Sequence, residues 1–163
     1  MVSIKAMLNA TVSEDAGWMT MNIKDFYLGT PLPHSEYMRV HIDQMPEKSR
    51  DMFGSSGMLQ NGYMLFQIDK GMYGLAQAGL LAQERLFETL AQNGYTSIMP
   101  TNPCIFKHCE RDIFFSLVVD DFGVKYKSRE DVEHLLGVLQ TKYVAKSDWQ
   151  GSSYVGSISS TTS

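Results

Sequence analysis

The stretch Trp18-Met19-Thr20-Met21-Asn22-Ile23-Lys24 alternates large apolar with polar residues, the period-two mark of a strand with one buried face. A loop at Gly29-Thr30-Pro31-Leu32-Pro33 separates it from a second predicted strand, Tyr37-Met38-Arg39-Val40-His41-Ile42. Residues 46–57 are polar and end in Gly54-Ser55-Ser56-Gly57, which predicts a short helix followed by a surface loop. Asn61-Gly62, between Met58-Leu59-Gln60 and Tyr63-Met64-Leu65-Phe66-Gln67-Ile68, predicts a two-residue hairpin joining those segments. From Gln77 to Asn93 the period changes: Ala82, Leu86 and Leu90 recur at steps of four, beside Phe87 and Ala91, until Gly94 stops the helix. Pro103 to Cys109 and Asp112 to Val119 are apolar segments joined by a tight turn, a second hairpin. A last helix is predicted from the N-cap Ser128, with Asp131 in its first turn, through Val132, Leu135, Leu136, Leu139 and Tyr143. A short helix fits Ser3 to Asn9, and the Ser/Thr-rich stretch from Gly151 is expected to fray. The order strand, hairpin, helix, hairpin, helix predicts an α+β fold, with two helices on one face of an antiparallel sheet.

Composition narrows the possible functions. The 163 residues carry 14 Lys and Arg against 18 Asp and Glu, a formal net charge of −4. A domain that grips nucleic acid unaided needs a basic stripe, because neutralising phosphates supplies most of the affinity. None is visible, so a nucleic-acid partner would be held weakly, or by this chain as one piece of something larger. The longest apolar run, Ile113-Phe114-Phe115 and then Leu117-Val118-Val119, falls far short of the roughly 20 residues that cross a bilayer. Met1-Val2-Ser3-Ile4-Lys5 lacks the layout of a signal peptide, so an intracellular location is expected, with Cys104 and Cys109 free. Five positions apart in an extended segment, those two cysteines would lie about 16 Å from each other, too far for a disulfide or a shared metal.

The strongest chemical feature is Val118-Val119-Asp120-Asp121-Phe122-Gly123, two adjacent carboxylates at the end of the most apolar strand. Burying either charge costs several kcal/mol unless a cation or hydrogen bonds offset it. Taken alone, Asp-Asp-Phe-Gly reads first as hairpin-turn chemistry. Its neighbours change that reading. Two adjacent Asp in a hairpin, a further polar residue on a neighbouring strand, and a Gly-containing segment entering a helix are the parts of a two-metal phosphoryl-transfer site, where hard oxygen ligands hold divalent ions against a triphosphate.

At three blocks the chain resembles the reverse transcriptases of retrotransposons, the copia type most of all. Met21-Asn22-Ile23-Lys24-Asp25-Phe26-Tyr27-Leu28 is similar to that family's first palm motif. Lys70-Gly71-Met72-Tyr73-Gly74-Leu75-Ala76-Gln77-Ala78-Gly79 is similar to its Tyr-Gly-Leu-x-Gln-Ala block, and Val118-Val119-Asp120-Asp121 to its x-x-Asp-Asp hairpin. Tyr37-Met38, Asn93-Gly94-Tyr95, and Trp149-Gln150-Gly151 followed by Tyr154-Val155-Gly156 also sit where the family has similar residues. Each block alone is a weak pattern; their joint order and spacing carry the resemblance, which spans residues 3 to 156.

The resemblance implies a reverse-transcriptase palm, a ferredoxin-like βαββαβ antiparallel sheet with two helices on one face, over residues 1–156, with a disordered tail at 157–163. It implies an RNA-directed DNA polymerase that uses Mg²⁺ (or Mn²⁺), dNTPs and a primer-template nucleic acid. Asp120 and Asp121 would bind the metal. The backbone near Asp25 and Phe26 would meet the triphosphate, and Tyr27 would be the aromatic gate under the sugar. Gln77 would contact template or nucleotide, and Lys146 would correspond to a lysine that protonates pyrophosphate. Without the resemblance, Tyr27 reads as a core aromatic, Gln77 as a first-turn helix residue and Lys146 as a solvated charge.

Two departures matter. The family's first catalytic Asp is here Asn22, whose amide can touch a metal but brings no negative charge. Asp25 lies an odd number of residues on, so in a regular strand it faces the other way and would need a local bend to substitute. Loss of most or all polymerase activity is therefore expected, which leaves a catalytically dead palm-fold remnant or co-opted interaction module as the alternative. The element order alone also allows an unrelated ferredoxin-like binding domain. The second departure is extent: the family's fingers strands and thumb are largely missing from these residues, so an exposed apolar palm surface prone to self-association is expected.

Overall fold

The computed structural model describes residues 15–54, 59–99, 101 and 103–150. The expected helix at Ser3 to Asn9, the Met58 end of the first hairpin, the Tyr154-Val155-Gly156 block and the tail lie outside the described residues. The elements run β1 (Gly17–Lys24), β2 (Pro31–His41), a single 3₁₀ turn (Ile42–Gln44), α1 (Glu47–Gly54), β3 (Tyr63–Lys70), α2 (Ala76–Gln92), β4 (Tyr95–Ser97), β5 (Ile105–His108), β6 (Ile113–Val118), β7 (Asp121–Tyr126), α3 (Arg129–Gln140) and β8 (Val144–Asp148). This is an α+β architecture with antiparallel sheets. Among the described residues no helix is long and apolar enough to cross a membrane. The chain divides into two compact units, one formed by the described residues up to Phe26 and from Ala82 onward, the other by Tyr27–Leu81.

The first unit is built on a six-stranded sheet in the order β4-β5-β6-β7-β1-β8. Register sorts its side chains. Met19, Phe115 and Val124 lie in one transverse line, as do Met21, Leu117 and Phe122, and these six are buried. Both helices cover this face. Phe87 of α2 meets Phe106 of β5 with ring centroids 5.3 Å apart, and Phe106 stacks on Phe115 at 5.2 Å. His134 of α3 meets Tyr95 of β4, its Nδ1 lying 2.8 Å from the tyrosine hydroxyl. In α3 the predicted stripe is the buried one: Val132, Leu135, Val138 and Leu139. Ser128 accepts a hydrogen bond from Glu130 N–H as its N-cap.

The opposite face carries Trp18, Thr20, Asn22, Asp121, Gly123 and Lys146. Gly123 is required there, because a Cβ would lie 2.6 Å from the Trp18 ring and 2.9 Å from Ser116 Oγ. Phe122 thus points into the core while Gly123 passes beneath the indole. Period-two alternation then forces Asp121 onto the Asn22 face.

The smaller unit holds a two-stranded ribbon, β2 paired with β3 from His41↔Tyr63 to Pro31↔Lys70, with an irregularity between Pro31 and Glu36. This corrects the predicted hairpin. Asn61 and Gly62 do form a tight turn, but Gln60↔Tyr63 is an isolated bridge and the partner of β3 is β2. The turn residues set a local reversal, whereas the longer apolar segment at 37–42 offers the better surface to pair with. The loop expected at Gly29–Pro33 likewise ends early, since β2 begins at Pro31. After β3, Gly71 runs over the Tyr27 carbonyl so closely that a Cβ would lie 2.5 Å from that oxygen, and its N–H donates to Thr30 O at 2.7 Å. That close approach is a physical reason for glycine at the start of the Lys-Gly-Met-Tyr-Gly-Leu block.

Candidate functional site

β6 and β7 are joined by a two-residue turn, Val119-Asp120, and Asp121 opens β7 opposite Asn22 of β1. One transverse row of the open face therefore reads Val118, Asp121, Asn22, Lys146 across four adjacent strands. The backbone ties the turn to β1, because Ile23 N–H donates to Asp120 O at 3.0 Å. The side chains converge as well. Asn22 Nδ2 donates to Asp121 Oδ1 at 2.7 Å and to Asp120 Oδ2 at 3.3 Å, joining residues 98 and 99 positions apart in the chain.

The turn is strained. Val119 has φ +60°, a left-handed conformation that a β-branched residue adopts at a cost of about 1–2 kcal/mol or more. In a two-residue hairpin whose first loop position has positive φ, glycine is the favoured residue. Val119 is 51% exposed, so little burial offsets the strain. Val119→Gly should therefore raise the stability of the chain by about 1 kcal/mol, after allowing for the extra unfolded-state freedom of glycine. A urea midpoint that rises with unchanged slope checks this; a midpoint that falls refutes it.

Charge is stored at the same place. Burial pushes the Asp120 carboxyl above the ordinary carboxylate value, the Asp121 charge pushes it the same way, and the hydrogen bond from Asn22 opposes both. A raised folded-state value means that the folded chain binds this proton more tightly than the unfolded chain. The stability Asp120 contributes is thus fully present below its unfolded value and is lost as pH rises through its folded one. Asp120→Asn keeps an acceptor for Asn22 and removes the charge. It should stabilise the metal-free chain at neutral pH, with the gain vanishing below roughly pH 4, as denaturant titrations across that range would show. A gain of equal size at every pH refutes this cause.

The donor set suits a hard divalent cation. Two carboxylate oxygens converge on one small group, and burial together with the neighbouring charge raises the proton affinity of one. What meets them from β1 is an amide hydrogen donor instead of a third anionic oxygen. Among the described residues no group of three or more His, Cys, Asp or Glu is placed to hold a metal. Asp120 and Asp121 offer two carboxylates, a set that would hold such an ion less tightly than three would.

The other candidates fall as follows. β1 ends at Lys24, and Asp25 takes φ +52°, so the backbone bends there. The Asp25 carboxylate pairs with Lys24 Nζ at 3.8 Å. Phe26 is a core residue, 2% exposed, with its ring 6.2 Å from that of Tyr143. Lys146, read from sequence as a residue beyond the last helix, lies in β8 as the cross-strand neighbour of Asn22. Cross-strand neighbours share a face, so it brings a positive charge beside the row. Tyr27 and Gln77 belong to the smaller unit. Tyr27 packs edge-on against Tyr73 at 5.1 Å and lines a pocket of about 180 Å³ with Met72, Tyr73 and Gly79. Gln77 lies at the exposed start of α2, where its Nε2 donates to Glu36 Oε1 at 2.6 Å.

Neither the Glu36 partner of Gln77 nor the left-handed conformation of Val119 is evident from the residue pattern. The one trace is at Val119, a two-residue turn with no glycine at its first position. No protein-family model matches the chain, and no curated protein matches its sequence.

Proposed function

We propose that this chain carries the palm of a reverse-transcriptase-type RNA-directed DNA polymerase, of the copia retrotransposon kind, with a cation site one charge short. The observation that carries the reading is the meeting of Asn22 with Asp120 and Asp121 across β1 and β7, at the position where the first palm motif and the Asp-Asp hairpin would have to meet. The strand order supports it. β6-β7-β1-β8, joined through α2 and α3, matches the strand order expected of a ferredoxin-like βαββαβ sheet, with both helices on the face opposite the carboxylates.

In this reading Asp120 and Asp121 would hold Mg²⁺ (or Mn²⁺), which would supply activation of a hydroxyl and neutralisation of triphosphate charge. Lys146, on the same face, is suited to attract the anionic substrate and to hold a proton for the leaving group. Asn22 can turn its oxygen toward a cation only by giving up both hydrogen bonds to the aspartates.

That cost favours a second reading, a palm fold retained as an interaction module without chemistry, because the Asn22 amide already bridges the two carboxylates with no cation needed. Mn²⁺ binding separates the two. Binding that disappears in Asp120→Ala supports the cation site, and no binding at millimolar ion supports the module. Primer extension by the chain carrying Asn22→Asp then tests the polymerase reading itself.

A further inference from the structure

Away from the carboxylates, the end of the sheet formed by β4, β5 and the turn before β6 holds two imidazoles in edge-to-face contact. The rings of His108 and His134 have centroids 5.4 Å apart, and the Tyr95 ring touches both, at 4.7 and 5.8 Å. His108 is fully committed. Its Nδ1 accepts the backbone N–H groups of Glu110 at 3.0 Å and Arg111 at 3.1 Å, which closes the turn into β6. Its Nε2 lies 3.1 Å from the carbonyl oxygen of Asn93, just past the end of α2. Only a neutral ring with its proton on Nε2 makes all three bonds.

We propose that His108 and His134 form a proton-operated clasp, which while both rings are neutral holds together the 109–112 turn, the end of α2 and helix α3, and which opens on acidification. The step is a protonation. A proton from solvent bonds to Nδ1 of His108, using the lone pair that accepts the Glu110 and Arg111 amides, so both hydrogen bonds break and the turn loses its anchor. Facing the two rings are Tyr95 from β4, Cys109 and Arg111 from the turn, and Asp131 from α3. Cys109 Sγ lies 3.9 Å from His108 Nδ1. The carboxylate that would compensate, Asp131, is engaged with Arg111 at 2.9 Å. Burial, then Arg111, then His108 hold the His134 ring below the ordinary imidazole value, with Asp131 opposing. A depressed value gives stability that is present above the unfolded imidazole value and is lost as pH falls through the folded one, the direction in which the clasp opens.

Amide exchange in the full chain tests this, with each rate corrected for its intrinsic pH dependence. The protection of the Glu110 and Arg111 amides should fall about tenfold or more between about pH 7.5 and about pH 5.5. His108→Asn, whose side-chain oxygen can accept the same two amides without titrating, should retain the protection at the lower pH. Protection that does not change in the unsubstituted chain overturns the proposal, and so does a fall of the same size in His108→Asn. Should that variant fail to fold, nitrogen-15 spectra of the unsubstituted chain decide: a proton on Nε2 of His108 at about pH 8 is expected, and one on Nδ1 overturns the clasp.

Discussion

Asn22→Asp should bind Mn²⁺ at least about tenfold more tightly than the unsubstituted chain and extend a primer about a hundredfold faster or more, the scale of restoring one charged stabiliser of a transition state. The Asn22 amide makes two hydrogen bonds, 2.7 Å to Asp121 and 3.3 Å to Asp120. A carboxylate in that place loses both donors and sets a third negative charge against two others. Without a cation the variant should therefore be less stable, by about 1–3 kcal/mol for charges in a half-exposed site. With a cation the same crowding becomes the binding energy. The signature is a crossover: the variant melts below the unsubstituted chain in chelator and gains far more from added Mn²⁺, following the logarithmic dependence of stability on ligand over Kd. If the two proteins respond equally to Mn²⁺, these residues do not form a cation site. If affinity rises and primer extension does not, the site is real and the polymerase reading fails.

Phe115→Ala should cost about 3–5 kcal/mol, a large part of the 5–15 kcal/mol that a domain of this size has in hand. Phe115 is fully buried at the middle of the helix-covered face, and its ring meets Phe106 at 5.2 Å, Phe122 at 5.4 Å and Tyr95 at 5.6 Å. Truncation removes the one ring common to those contacts and leaves a cavity that rigid strands on either side cannot close. The loss should reach the open face, because Phe122 anchors β7 and so aims Asp121. Urea denaturation gives the number; a loss under about 1 kcal/mol would mean that the aromatic cluster does not hold the sheet. Phe115→Leu, which keeps most of the volume, should cost clearly less.

How far the sequence could be read followed from how local each signal is. The alternation of Met19, Met21 and Ile23 marked β1, and the four-residue steps of Ala82, Leu86 and Leu90 marked α2 nearly to its ends, because burial on one face leaves its period in the chain. The last helix was seen as well, although it stops at Gln140 and Tyr143 lies beyond it. β8 was not seen. Val144-Ala145-Lys146-Ser147-Asp148 is a half-exposed edge strand with little apolar alternation, and only its pairing with β1 makes it a strand. β7 was obscured by its own Asp-Asp-Phe-Gly, whose turn chemistry begins at Asp120, too late in the chain for the Val119-Asp120 turn that forms.

At the candidate site the division is sharper. The residue types, and the missing charge at Asn22, are properties of the sequence by itself. That Asn22 meets Asp120 and Asp121, that Lys146 lies beside it, and that Val119 takes a left-handed conformation were decided by the tertiary structure. Strand register across nearly a hundred residues is set by the burial of a whole sheet face and leaves no local trace.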